Sequence, residues 1–246
     1  MRRFLALLPL ALIAAPLAAD TVVTEQRVRD AFTYGDKEQP KLEQTVTTWF
    51  GDGQLRRDEG TTSFLLSAKA NTLTILDHEA KTASVLQLPI DMEQYVPEAM
   101  RPQLRQFRDA MKIESTITPS GTTEKVGNWE AERVDITLSA AAMGMKTELT
   151  MWIAKGFEVD RELFALAART MAALQPAAGE FAEKLIALGG YPVRTTTKMS
   201  GMGTETTTRE EVVSVETKEA SAGWYQVPEG YTNKPFNPLE GAGPGR

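Results

Sequence analysis

The sequence predicts a mainly β (α+β) protein: an open, curved antiparallel sheet, a half-barrel, with helices covering its concave face. Three observations lead there. Apolar and polar residues alternate in short runs separated by turn residues through most of the chain. Two blocks, around Val96–Met111 and Asp160–Leu188, change to a three-to-four-residue period. These blocks interrupt the hairpins, which an all-β sandwich would not allow, so helices are expected to lie against a sheet.

The chain opens with MRRFLALLPLALIAAPLAAD, a short basic start, an apolar run from Phe4 to Leu17 and small residues before Asp20. This layout predicts a secretory signal peptide over residues 1–19, with cleavage after Ala19. The apolar run is short for a bilayer, which needs about 20 residues, and no later stretch approaches that length. No membrane span is therefore expected after signal removal. The chain has no cysteine, so export brings no disulfide and no acylated cysteine. The expected compartment is a periplasm.

"TVTTWFGDGQLRRDEG" reads as two strands joined at Gly51-Asp52-Gly53, since Asp-Gly favours the positive φ of a tight hairpin. Thr61–Ala68 is a third strand. In "NTLTILDHEAKTASVLQLP", Leu73 and Ile75 alternate with Thr72 and Thr74, and Asp77–Thr82 forms a polar hairpin connection. His78, the single histidine, is expected at that loop tip as a turn residue. Val96, Met100, Leu104, Phe107 and Met111 share a helical face, and Pro97 and Pro102 predict a short turn followed by a helix from Pro102 to Met111. Strands return at Ile113–Thr118, Trp129–Leu138 and Met145–Ala154. There Val134, Ile136 and Leu138 match a face made of Leu149, Met151 and Ile153. Asp160 reads as the N-cap of a helix with the stripe Leu163, Leu166, Ala167, Met171 and Leu174. Pro176 breaks it, and a second helix carries Phe181, Leu185 and Leu188 to a stop at Gly189-Gly190. Tyr191–Ser200 and Gly203–Glu219 are Thr-rich strands, and Trp224–Val227 is expected as a short last one, closing a hairpin. Residues 20–236 form one domain, and the Pro/Gly-rich residues 237–246 a flexible tail.

Composition narrows the chemistry. Net charge is −6, and without Arg2 and Arg3 the remaining 25 basic residues face 33 acidic ones, or −8. No basic cluster is available to neutralise phosphates, which argues against nucleic acid and against anionic lipid headgroups as partners. One histidine and no cysteine cannot assemble the usual zinc site. There is no nucleophile elbow and no phosphate-binding glycine loop ahead of a helix. No catalytic residue, cofactor or metal site is therefore assigned, and a non-enzymatic protein is expected. Two close methionine pairs, Met143/Met145 and Met199/Met202, offer soft thioethers that suit Cu(I), but nothing else accompanies them and gap-filling is the simpler role.

The pieces "WFGDGQLRRDEG", "TLTILDHEAKTASVL", "WEAERVDITL" with "TELTMWIAKG", "GGYPVRTTT" and "WYQVPEGY" resemble the DUF4412 family. That family is grouped with the LolA/LolB-like lipoprotein-localisation fold, and the resemblance spans roughly Val22 to Pro235. It implies exported proteins with a curved sheet, helices on the concave side, and, in better-known relatives, acyl chains bound between the two. On that implication the expected function is a soluble carrier of a lipid or acylated protein. Leu73, Ile75, Val134, Ile136, Leu149 and Met151 would line the sheet side, and Phe107, Met111, Leu166 and Met171 the helical side. The alternative is a non-catalytic envelope interaction or assembly protein with a closed core, using the Thr-rich stretch "RTTTKMSGMGTETTTREE" as an exposed edge for strand addition.

Overall fold

The computed structural model describes residues 19–110, 113–141, 144–174, 179–201 and 203–238. The predicted signal segment up to residue 18, Met111, Met143, Met202 and the tail beyond residue 238 lie outside the described residues. In chain order the strands are β1 (Asp20–Arg29), β2 (Phe32–Tyr34), β3 (Lys37–Gln39), β4 (Leu42–Phe50), β5 (Gln54–Glu59), β6 (Thr62–Ser67), β7 (Thr72–Asp77) and β8 (Thr82–Gln87). Two short 3-10 turns and helix α1 (Arg101–Ala110) follow, then β9 (Glu114–Val126), β10 (Trp129–Ala140) and β11 (Met145–Ala154). Helices α2 (Arg161–Ala173) and α3 (Gly179–Ala187) precede β12 (Tyr191–Gly201), β13 (Thr204–Lys218) and β14 (Thr232–Asn233).

Twelve strands form one large curved sheet that does not close, ordered β14-β8-β7-β6-β5-β4-β1-β13-β12-β11-β10-β9. All its pairings are antiparallel except β14 on β8. The first strand holds the centre: β1 pairs with β4 on one side and β13 on the other. Two meanders spread from it, β4 to β8 one way and β13 back to β9 the other. Register shifts at Thr24/Glu25, Glu132/Val134 and Trp152/Ile153 interrupt the ladder, and such bulges bend a strand and sharpen its twist.

The hairpin at Gly51–Gly53 forms as expected, with Gly53 at φ 62°. Gly51 is needed for space: a Cβ there would sit 2.7 Å from Tyr225 Oη and 2.9 Å from Asp20 Oδ1. Asp160 caps α2, its Oδ1 accepting from the backbone N–H of Glu162 and Leu163, both at 3.0 Å. Two expectations fail. Trp224–Val227 is a pair of turns, with Trp224 N–H donating to Ser221 O and Gln226 N–H to Gly223 O, so Trp224 packs on Trp49 of β4 instead of joining a ladder, and Val227 is left exposed. The closing strand is β14, whose parallel pairing comes from Thr232 N–H to Lys81 O and Lys234 N–H to Ala83 O. The Thr-rich strands β12 and β13 are interior strands, paired with each other and flanked by β11 and β1, so they do not form the sheet edge expected there. β1, the central strand, lies in a stretch with no alternation strong enough to mark it: Val22 and Val23 are consecutive and both buried, one on each face.

Candidate functional site

One face of the sheet carries α2 and α3. Cross-strand partners place Phe50, Leu55, Leu66, Leu73 and Leu86 in a single row on that face. Phe50, Leu55 and Leu66 join Val23, Tyr191, Val193 and Val212 in one core cluster, covered by Leu163, Phe164, Leu166 and Ala167 of α2. Tyr191 is its aromatic centre, stacked on Phe157 at 4.3 Å and 11° and flanked by Phe50 and Phe164. A second cluster of Val134, Ile136, Met151 and Ile153 lies beneath Phe181, Leu185 and Leu188 of α3.

The residues expected to line one pocket thus fall in two places. Val134, Ile136, Leu149 and Met151 come together under α3, with Val134 opposite Met151 and Ile136 opposite Leu149. Leu166 belongs to the α2 cluster. Met171 is half-buried near the end of α2, Leu73 is buried beside Leu66, and Ile75 is half-buried next to Phe64. Phe107 lies on α1. A surface depression of about 570 Å³ lies at the β11–α2 turn against Lys155, Phe157, Asp160 and Arg161. A smaller one of about 240 Å³ includes Ile136 and Leu149 among Asp135, Glu148, Thr150 and Lys198. Both are bordered by charged side chains, whereas the apolar floor itself is filled by helix side chains.

α2 and α3 occupy the connection between β11 and β12, strands that are hydrogen-bonded to each other through Met151–Thr195 and Leu149–Thr197. The ladder is complete without the helices, so they form a flap laid over it. The flap is braced internally by Arg169 Nε donating to Glu183 Oε1 (2.7 Å), and tied to β9 by Lys184 Nζ donating to Ser115 Oγ (2.8 Å). At its return, a Cβ on Gly190 would lie 2.5 Å from Ile153 Cγ2 and 2.9 Å from Ala154 O, so only glycine lets the chain re-enter the sheet this closely.

Beyond the apolar floor on the same face runs a belt of paired charges. Val23, Glu25 and Arg27 are alternate residues of β1, as Leu55, Arg57 and Glu59 are of β5. Arg57 Nη1 donates to Glu25 Oε2 (2.9 Å) and Thr48 Oγ1 (3.0 Å), and its Nε to Glu59 Oε1 (2.5 Å). Arg27 holds both oxygens of Glu59 at 3.1 and 3.2 Å and donates its Nε to Glu210. The Tyr191 hydroxyl reaches Glu25 at 3.3 Å, linking the aromatic cluster to the belt. Burial disfavours charge on Arg57, but Glu25 and Glu59 outweigh it and hold the guanidinium above its ordinary range. Burial likewise opposes ionisation of Glu59, yet Arg57 and Arg27 together keep its carboxyl below the usual range. Burial, then Glu25, raises the Tyr191 phenol well above its ordinary value. These charges pair with one another, as half-buried ions must.

The opposite face carries a polar chain that corrects the reading of His78. Its Nε2 lies 2.6 Å from Ser63 Oγ, its Nδ1 is bonded to Tyr231 Oη, and Ser63 in turn donates to Asp58. His78 is therefore half-buried and held on both ring nitrogens, because the segment after β13 folds back over the β7–β8 turn. The order is Asp–Ser–His–Tyr, with a fully buried serine in the middle; a nucleophile needs the histidine between serine and acid, and needs access. The same segment is fixed by Trp224, its ring 5.1 Å from Trp49 and tilted 57° to it, beneath the Arg56 guanidinium at 4.1 Å. Tyr225 donates to Asp20 at 2.6 Å. Of the methionine pairs only Met145 and Met199 are described; they lie at one end of the sheet, where Thr147 pairs with Met199 and Gly201 abuts Met145. Among the described residues no group of three or more His, Asp or Glu side chains could hold a metal ion, and no helix is long and apolar enough to cross a membrane.

Residues 36–231 match the family defined by the domain of unknown function DUF4412. The chain belongs to the DUF4412 family. The match takes in the hairpins from β4 to β8, the flap and the returning segment as far as Tyr231. No curated protein matches the chain.

Proposed function

We propose that this DUF4412 protein is an exported, soluble, non-catalytic binding protein for a hydrophobic or acylated ligand, held on the apolar floor in place of the flap. In this reading the sheet is a LolA/LolB-like half-barrel with its helix-covered face concave, and residues 1–19 direct the chain to the periplasm. The observation that carries the proposal is the insertion of α2 and α3 between two directly paired strands. Lifting them exposes Val134, Ile136, Met151 and the Phe50–Leu55–Leu66 row while breaking no strand pairing. An apolar floor of this kind, closed by amphipathic helices, suits a ligand recognised by burial more than by directed hydrogen bonds. The flexible thioether of Met151 adapts such a floor to acyl chains of varied shape. The charged belt bounds the floor on one side and excludes the chain from that end, because apolar contact there would strip water from five ionised groups.

The test is titration of the purified mature protein with a fluorescent fatty acid, followed by displacement with unlabelled acyl chains. Saturable binding that acyl chains compete away is expected. Protein that binds neither the probe nor any fatty acid at concentrations on the order of tens of micromolar would overturn the carrier reading.

A further inference from the structure

Among the described residues three side-chain polar atoms sealed from solvent lack a partner: Trp224 Nε1 and two that are neighbours in the register. Neither Arg29 Nε nor Thr206 Oγ1 makes a hydrogen bond. Arg29 lies opposite Thr208 on β13, and Asp30 N–H continues that ladder to Thr207 O. Thr206, two residues from Thr208 on the same face, is therefore the diagonal neighbour of Arg29. Such pairs stand about 7–8 Å apart at the backbone, within reach of an arginine side chain. Thr206 is only 8% exposed. The β2–β3 hairpin closes over this spot: Thr204 Oγ1 donates to Thr33 O at 3.0 Å, and the Arg29 guanidinium stacks on Phe32 at 5.1 Å.

Arg29 differs from the arginines around it. Arg27, Arg57 and Arg209 each hold a carboxylate, whereas among the described residues none pairs with Arg29. Glu210, the nearest acidic group in the register, is engaged by Arg27. A buried donor without an acceptor is costly, the more so on a charged group, and such an orphan calls for a missing partner. Arg29 can only donate, and the Thr206 hydroxyl can donate beside it. Two neighbouring donors, one of them cationic, match a phosphate or carboxylate oxygen.

We propose that Arg29 and Thr206 form an oxyanion-binding site beneath the β2–β3 hairpin. The site is separate from the carrier floor and does not depend on it. Arg29 is six residues beyond Val23 along β1, about 20 Å at the rise of a strand, and Arg27 with its two carboxylates lies between. The oxyanion comes either as a free anion or as a lipid phosphate headgroup approaching from the hairpin side.

Isothermal titration of the full mature chain tests this with inorganic phosphate and, separately, with a short-chain phosphatidic acid below its micelle concentration. One-to-one binding is expected, about tenfold weaker or worse in Arg29→Gln. Thr206→Val keeps the side-chain shape, removes only an unpaired hydroxyl, and is expected to weaken binding while preserving the thermal midpoint. Arg209→Gln, on the opposite face and paired with Asp30, should bind like the parent. Equal affinity for both probes assigns the site to the free anion; tighter phosphatidic acid assigns it to a headgroup. No saturable heat from either probe up to about 10 mM would mean that a buried water fills the gap, and would overturn the proposal. Parent-like binding by both Arg29→Gln and Thr206→Val would overturn it equally.

Discussion

Replacing His78 by alanine probes the back-face chain directly. The substitution removes the contacts of both ring nitrogens, to Ser63 and Tyr231, and an edge-on ring contact with Tyr231 at 5.9 Å and 82°. At about 1 kcal/mol per hydrogen bond and about 0.5–1.5 kcal/mol for the ring contact, the expected loss is about 3 kcal/mol. In a domain of roughly 220 residues each kcal/mol moves the midpoint by about 2–4 °C, so a fall of about 6–12 °C is expected. Thermal unfolding followed by circular dichroism reads this for His78→Ala, Tyr231→Phe and the double variant. The two single losses should fail to add, with a coupling of about 1 kcal/mol. Limited proteolysis should find new cleavage in the segment 224–236, where the tie has been cut. A midpoint change under about 2 °C, with strictly additive single variants, would show that His78 is a free loop-tip side chain and that the chain from Asp58 to Tyr231 contributes nothing.

The flap makes a second prediction. Asp160→Ala removes the cap of α2 at a cost of about 1 kcal/mol, and if binding requires the flap to lift, acyl-probe affinity should rise up to about fivefold in fluorescence titration; an unchanged or weaker affinity would tell against opening. Glu59 governs an acid limb: its folded carboxyl titrates below the ordinary value, so its contribution is complete above about pH 4.3 and is lost as pH falls through the lower folded value. Urea unfolding at pH steps from neutral to about 3 should therefore show a flatter acid decline in Glu59→Gln than in the parent, and parallel curves would refute the assignment. Gly190→Ala forces a methyl group against Ile153 Cγ2 and the Ala154 carbonyl, and should cost about 1–3 kcal/mol in the same assay; a neutral variant would mean the β11–flap–β12 return is not closely packed.

Some features were readable one residue at a time because their cause is local. The turn at Asp52-Gly53, the cap at Asp160, the stop at Gly189-Gly190 and the alternation of Val134, Ile136 and Leu138 each rest on backbone sterics or side-chain period, and each lies where expected. The helical stripes were legible for the same reason, and Leu163 and Leu185 do face the sheet. Other features have no local signature. The division of the apolar residues between two helices follows from strand order: β11 and β10 lie on one side of β12, and β4 to β6 beyond β1 on the other. Arg56 and Arg57 are adjacent in sequence and identical in type, yet alternation sends one to Trp224 and the other into the belt with Glu25.

The sequence by itself determined the local elements, the alternation of faces and the absence of thiol chemistry, since these depend on residues a few positions apart. Only the tertiary structure decided that β1 is the centre of the sheet, that His78 meets Tyr231 across 153 positions, and that Arg27 meets Glu210 across 183. Contacts at such separations are chosen by which strands pair, and in an open sheet the pairing order follows from burying both faces at once. No window of neighbouring residues contains that condition.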